Sequence, residues 1–451
     1  MSRIGLIGDN STDYVKIVIN AWNNGDSVVL IDSSVPPLKC LEMLIEAKVS
    51  KCYVENKFYK RLHGVIGNTV KLVSYSNNIN IPCLLPEYLY DDFQEVYSED
   101  EAVILYSSGT TGESKGIILS HFAINKNADY IIEYMRLSSN DCMYIVKNIV
   151  HSSTFTGELI VALKTKIPLV ISPIVVPPRY ALNNIAKYSV SVICVNPSLL
   201  SMYCEELKRK LYDISSLKKI YVSGSILSDK VYNDARSIFK LQEIYNVYGL
   251  SEAGPRVTAQ QYGNCHKNSV GRPIGDIEIA IIDSLGKIVP NGERGIIHVN
   301  TPCRFSGYVK GNLKHISLYG NWLNTGDIGY FDEYDELHIL GRIDDMIIID
   351  SHKIYPYEVE RIIMKSDKIK ECVVAAVNFH NKDILCCLYV SDNKVSDDIK
   401  MVLGRFLMKH EIPRFFLKTN AIPKTFNGKV SLKGVKEVIM HELERGIEYG
   451  V

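Results

Sequence analysis

With 451 residues, 46% of them apolar, the chain can bury a full core, and it exceeds the usual domain size of about 100–150 residues, so at least two domains are expected. Its 51 basic and 51 acidic residues cancel, which removes any general argument for nucleic acid or an anionic membrane as partner and makes any anion site local. The 11 cysteines include no C-x-x-C pair and read as free thiols of a reducing compartment.

The amino-terminal residues reach Asp9 before any apolar run long enough for a signal peptide. No stretch approaches the roughly 18 uninterrupted apolar residues of a spanning helix. A cytoplasmic protein is the resulting expectation. Moving along the chain, residues 28–31, 102–106, 192–195 and 220–222 are β-branched or apolar runs that predict buried strands. Residues 41–47, 130–135 and 229–239 carry helical patterns. Their alternation predicts α/β layers. Residues 270–340 change character, with short strands between Gly and Pro turns, and predict a β-rich subdomain. A strand over 337–340 then meets Gly341-Arg342-Ile343-Asp344-Asp345, and a helix begins near Tyr355-Pro356. Pro356 suits the first helical turn, and Glu358 and Glu360 complement its positive end. The expected division is a large domain over 1–343 and a small α+β domain over 344–451.

One loop carries chemistry by its composition. Residues 106–116, Tyr-Ser-Ser-Gly-Thr-Thr-Gly-Glu-Ser-Lys-Gly, follow a predicted strand directly. Its glycines let the backbone fold around a polyanion with N–H groups pointing inward. Ser107, Ser108, Thr110 and Thr111 add hydroxyl donors, and Lys115 adds a mobile positive charge. ATP phosphates are the ligand class that fits. The order is not that of a P-loop, because G-x-x-x-x-G-K-[ST] fails here.

These residues resemble the signature of the adenylate-forming superfamily of acyl- and aryl-CoA synthetases, luciferases and stand-alone adenylation enzymes, S-S/G-G-T-T-G-x-x-K-G, complete at residues 107–116. The resemblance implies an α/β fold: a large N-terminal domain of layered sheets with a β-rich subdomain, and a small mobile C-terminal α+β lid. It implies that Ser107, Ser108, Gly109, Thr110, Thr111, Gly112 and Lys115 handle the β- and γ-phosphates of ATP. Further motifs follow in the family's order. Tyr248-Gly249-Leu250-Ser251-Glu252 resembles Y-G-x-[ST]-E. There the resemblance implies that Tyr248 stacks on adenine, Ser251 meets the α-phosphate and Glu252 holds Mg²⁺. A carboxylate beside phosphate needs a hard cation between them. Ser223-Gly224-Ser225 resembles the segment beside adenine. Thr325-Gly326-Asp327 resembles T-G-D, whose Asp accepts both ribose hydroxyls, a role that suits a carboxylate. Gly341-Arg342-Ile343-Asp344 resembles G-R-x-[DK], implying Arg342 near the ribose and Asp344 as hinge.

Pro423-Lys424-Thr425-Phe426-Asn427-Gly428-Lys429 resembles P-K-T-x-x-G-K. Lys429 is then the catalytic lysine, a point charge between two anions that must react with each other. His151, with Ser223 and Gly249, is placed by resemblance at the acyl pocket. Residues 151–158 lack the Asp of amino-acid-activating relatives, and Glu158 is the only acid there. The expected substrate is an aryl or acyl acid without an α-amino group. The expected reaction is ATP-dependent formation of an acyl-adenylate, then transfer to the phosphopantetheine thiol of CoA or of an acyl carrier protein. An amide ligase and a non-catalytic nucleotide-binding regulator are the alternatives. Two departures stand out: the family's early strand-turn already lies at residues 5–11, implying a shortened first subdomain, and Ser351 stands where relatives carry glycine.

Overall fold

The computed structural model describes residues 1–76, 83–108, 114–173, 177–240, 243–261, 268–310, 320–349, 352–366, 368–380, 382–393, 395–424 and 430–448. Two large sheets dominate the first 309 residues. One has seven strands, in the order Gly307–Tyr308, Ser114–Ser120, Glu101–Ser108, Ser27–Ile31, Arg3–Ile7, Lys51–Glu55 and Lys71–Tyr75. The other has eight, with Ile244–Tyr248, Lys219–Val222, Val192–Val195 and Met143–Ile145 as consecutive parallel neighbours at its centre. Every residue of Ser27–Ile31, Lys219–Val222 and Val192–Val195 is buried, as parallel strands covered on both faces require. The two sheets share one apolar core, in which Leu6, Val28 and Leu105 of the first meet Ile145, Val192 and Val247 of the second through the helix His121–Met135.

The helices start where side chains can cap them. Ser120 Oγ accepts from Ala123 N at 3.1 Å, Asn196 Oδ1 from Leu199 N at 2.8 Å with Pro197 in the first turn, and Ser228 Oγ from Val231 N at 3.4 Å. Each satisfies a backbone donor the helix leaves open. The helix expected at 41–47 runs instead over Pro37–Glu46, because Pro37 supplies a pre-set first turn.

The strands Glu278–Ile282, Gly295–Asn300, Trp322–Phe331 and Leu337–Arg342 form a four-stranded antiparallel sheet. After Arg342 the chain makes a short turn, Ile343–Asp345, with Asp344 exposed. Beyond it a three-stranded sheet, Glu371–Phe379, Lys382–Val390 and Phe415–Thr419, carries the helices Pro356–Ile363 and Leu432–Glu448, with separate apolar clusters on its two faces. The architecture is a large layered α/β unit followed by a smaller α+β one. The described cysteines are free thiols. Among the described residues no helix is long and apolar enough to cross a membrane.

Candidate active site

The candidate residues gather where parallel strands of the eight-stranded sheet end. Ser223-Gly224-Ser225 leaves the carboxyl end of Lys219–Val222, and Tyr248 closes Ile244–Tyr248. The ends of such strands form a crevice that the sheet's own packing does not fill. Ser223 N donates to Val195 O at 3.0 Å. Gly224 has φ +94° and is exposed, like Ser225.

Asp327 is the centre of the first cluster. It lies on Trp322–Phe331, directly opposite Arg342 of the neighbouring antiparallel strand. Tyr248 Oη donates to its Oδ2 at 2.6 Å and Arg342 Nη1 to its Oδ1 at 3.3 Å. Burial raises the Asp327 carboxyl above its ordinary value, against the pull of Arg342 and Tyr248, and nearby Glu252 and Asp345 raise it further. Burial and the Asp327 charge push the Tyr248 phenol well up, so it remains a donor. Gly326 has φ +72°, and a Cβ there would stand 2.7 Å from Arg342 Nη2. Only glycine turns the strand at that point and leaves the guanidinium its path. A carboxylate has about four acceptor sites. Two are taken, so Asp327 retains capacity for a vicinal diol.

The second cluster is built on Glu252. Its Oε1 accepts from Tyr308 Oη at 2.9 Å. Lys115 Nζ lies 5.5 Å from the centre of the same tyrosine ring, within cation–π range. Lys115 sits in the strand Ser114–Ser120, opposite Ser107, and Gly116 opposite Tyr106. A Cβ on Gly116 would meet Val309 at 2.8 Å. Tyr308 is absent from the sequence candidates. It reaches the site because Gly307–Tyr308 pairs with Ile117–Ile118 at the edge of the seven-stranded sheet, a pairing across 190 residues that no local motif announces. Phe305 N donates to Glu252 O at 3.0 Å, fixing the backbone of the acidic loop to the same segment.

Two further contacts position residues 249–256. Ser251 Oγ and Ser152 Oγ are 2.6 Å apart. The fully buried Asn127 donates from Nδ2 to Arg256 O at 2.8 Å and accepts at Oδ1 from Arg256 N at 3.3 Å. A Cβ on Gly249 would come within 2.3 Å of Pro255 O, so this glycine is required by a backbone approach. His151 is exposed, and its carbonyl accepts from Thr154 N and Phe155 N. Ser223 is buried, with no hydrogen-bond partner for its Oγ.

Tyr248, Glu252, Lys115, Asp327 and Arg342 are thus brought together, with Ser251 and Gly249 on the connecting loop. Ser107 and Ser108 end the strand Glu101–Ser108. Gly109, Thr110, Thr111, Gly112, Ser351 and Lys429 lie outside the described residues. Beside Lys429, Lys424 and Val430 pair as an antiparallel bridge. No group of three or more His, Cys, Asp or Glu side chains suited to a metal occurs among the described residues. A lone carboxylate such as Glu252 fits a cation that takes its remaining ligands from phosphate and water.

Comparison with known proteins bears on the family and the fold. The chain is 24% identical to bacitracin synthase 2 of Bacillus licheniformis over 96% of its own length but 16% of that protein's. It is 25% identical to 4-coumarate–CoA ligase 4 of Arabidopsis thaliana, over 76% of this chain and 62% of that one. The chain therefore spans less than two thirds of either relative. Among solved structures, ATP-bound MatB from Rhodopseudomonas palustris superposes with a TM-score of 0.86 at 19% identity, covering 97% of this chain and 88% of that one, a likeness of fold. The model of the AMP-binding enzyme family matches residues 1–309, and that of the AMP-binding enzyme C-terminal domain matches residues 358–429. The match takes in well over half of the sequence, and the chain belongs to the AMP-binding enzyme family.

Proposed function

We propose that the chain joins a carboxylic acid to the α-phosphate of ATP, releasing pyrophosphate, and passes the acyl group to a phosphopantetheine thiol. The observation that carries this reading is the Tyr248–Asp327–Arg342 cluster lying beside Glu252 and Lys115. It offers a diol acceptor, a hard-cation ligand and a phosphate-facing cation in one crevice. Asp327 and Arg342 hold the ribose, and Tyr248 packs against the base. Glu252 is the residue that would hold Mg²⁺, which supplies charge neutralisation on the phosphates when bound. Lys115, with the glycine-rich loop, orients the leaving pyrophosphate. Lys429 takes the role of the cation that offsets the negative charge developing between the attacking carboxylate and the α-phosphate. Positioning two anions in line accounts for much of the acceleration in such reactions.

The acceptor thiol belongs to CoA or to a carrier protein. An acid without an α-amino group is supported by Glu158. The carboxylate that would greet an ammonium group is already 3.0 Å from Lys147 Nζ. Asp344, exposed in the turn between the two units, is the proposed hinge for the exchange between half-reactions.

Acid-dependent ATP–pyrophosphate exchange tests the assignment. In Lys429→Ala it is expected to fall by about 10²–10³-fold, the scale of losing one transition-state charge partner. Unchanged exchange would remove Lys429 from the mechanism.

A further inference from the structure

Behind the nucleotide crevice lies a set of polar side chains that the proposed adenylation does not use. Arg256 is 1% exposed, and Glu158, Thr154 and Thr156 are 0% exposed. Arg256 Nη1 reaches Pro255 O at 3.4 Å, but Nε and Nη2 have no hydrogen-bond partner. Thr154 Oγ1 faces Glu158 and Tyr134 Oη faces Arg256 without a well-formed hydrogen bond, and Thr156 Oγ1 has no partner. Lys147 Nζ and Glu158 Oε1 form an ion pair at 3.0 Å, yet its geometry leaves both atoms without a proper hydrogen bond.

Buried polar atoms are almost always paired, and an unpaired charged one is costly. Several unpaired atoms in one place point to a partner that is not protein. The charges indicate its sign. Lys147 and Arg256 face the single carboxylate Glu158, which leaves one positive charge uncompensated. The location indicates what it belongs to. Gly157 sits in a π-helical turn over Phe155–Ile160, and a Cβ there would stand 3.3 Å from Arg256 Nη2. Such turns are rare and occur mostly at functional sites. Ser152, just before this turn, bonds Ser251, and Gly249 rests on the Pro255–Arg256 backbone. The polar set therefore adjoins the loop on which the acid would be activated.

We propose that Arg256, with Lys147, Thr154 and Thr156, recognises a second anionic group on the acid, so that the substrate class is acids carrying a carboxylate besides the one activated. The inference rests on the adenylation reading and narrows it. An acid of this class places one carboxylate at Ser251 and the other against Nε and Nη2 of the Arg256 guanidinium. A hydrocarbon acyl chain leaves that guanidinium unpaired, so the buried charge discriminates against it.

The test is pyrophosphate exchange with length-matched acids that do or do not bear a second carboxylate. The wild-type chain is expected to favour the second-carboxylate acids by at least about tenfold in kcat/KM, the scale of one charged hydrogen bond. Arg256→Met should erase that ratio. If Arg256→Met fails to melt cooperatively, Thr156→Val serves, with a partial loss of the same ratio. A wild-type preference for hydrocarbon acids, or an unchanged ratio in the variants, overturns the proposal and leaves the cluster to buried water. Exchange with no acid at all would instead count against the adenylation reading. In that case a thermal upshift by the second-carboxylate acids alone, lost in the variants, still supports the anion site, and its absence refutes it.

Discussion

Asp327 shows how one side chain is prepared for a ligand. It accepts from Tyr248 Oη and Arg342 Nη1 and is 9% exposed. Both donors hold the carboxylate in one orientation while leaving acceptor sites open. Tyr248→Phe removes one donor and keeps the ring. The expected outcome is a rise of about five- to tenfold in KM for ATP, the scale of a hydrogen bond to a charged group, with kcat changed far less. Initial-rate kinetics at saturating acid measure it, and an unaltered KM would separate Tyr248 from nucleotide binding. The same residue scale explains why Tyr308 escapes a motif reading. Its hydroxyl serves Glu252 and its ring faces Lys115, but a tyrosine after a glycine is common and carries no spacing signature.

At the scale of elements, the helix Pro356–Ile363 contains a group that couples fold to pH. Glu360 Oε1 accepts from Val374 N at 2.7 Å, so the side chain ties helix to sheet. Burial raises its carboxyl from 4.5 to about 7, with Val374 N–H opposing and Asp345 adding to the rise. A raised acid holds a proton in the folded state that the unfolded chain has given up. Its favourable contribution is complete below about pH 4.5 and is lost as pH rises through about 7. Glu360→Gln retains the acceptor without the charge. Denaturation of both proteins between pH 4.5 and 8 should show wild type losing stability relative to the variant as pH rises. A difference independent of pH would mean that Glu360 ionises as freely in the folded chain as in the unfolded one.

For the whole molecule, the described contacts between the two units include two polar ones. Arg294 Nη1 bonds Glu358 Oε2 at 2.7 Å, and Lys230 Nζ donates to Ile369 O at 3.1 Å. The ion pair is partly exposed and of the kind worth about 0–1 kcal/mol, so it adds little resistance to a change of arrangement. If Asp344 is the hinge, Asp344→Pro restricts φ there to about −65°. One half-reaction should then fall at least about tenfold while the other stays within about twofold, as expected when a gating motion is blocked rather than the chemistry. Pyrophosphate exchange and thioester formation, measured separately on the same variant, decide it, and equal loss in both would assign Asp344 a purely structural part.

The sequence by itself determined what local chemistry can specify. Covered parallel strands must be apolar throughout, so residues 28–31, 192–195 and 220–222 announce themselves. Residues 248–252 and 325–327 stand out because each sets chemistry-bearing side chains on one short stretch. Tertiary structure alone decided what depends on distant partners. The Asn127 grip on Arg256 spans 129 residues, and the pairing that brings Tyr308 to Lys115 joins the strands Gly307–Tyr308 and Ser114–Ser120, far apart in sequence. The uncompensated charge of Arg256 was equally invisible. Only folding buries this arginine with Glu158 and Lys147, and burial, not identity, is what makes a charge demand a partner.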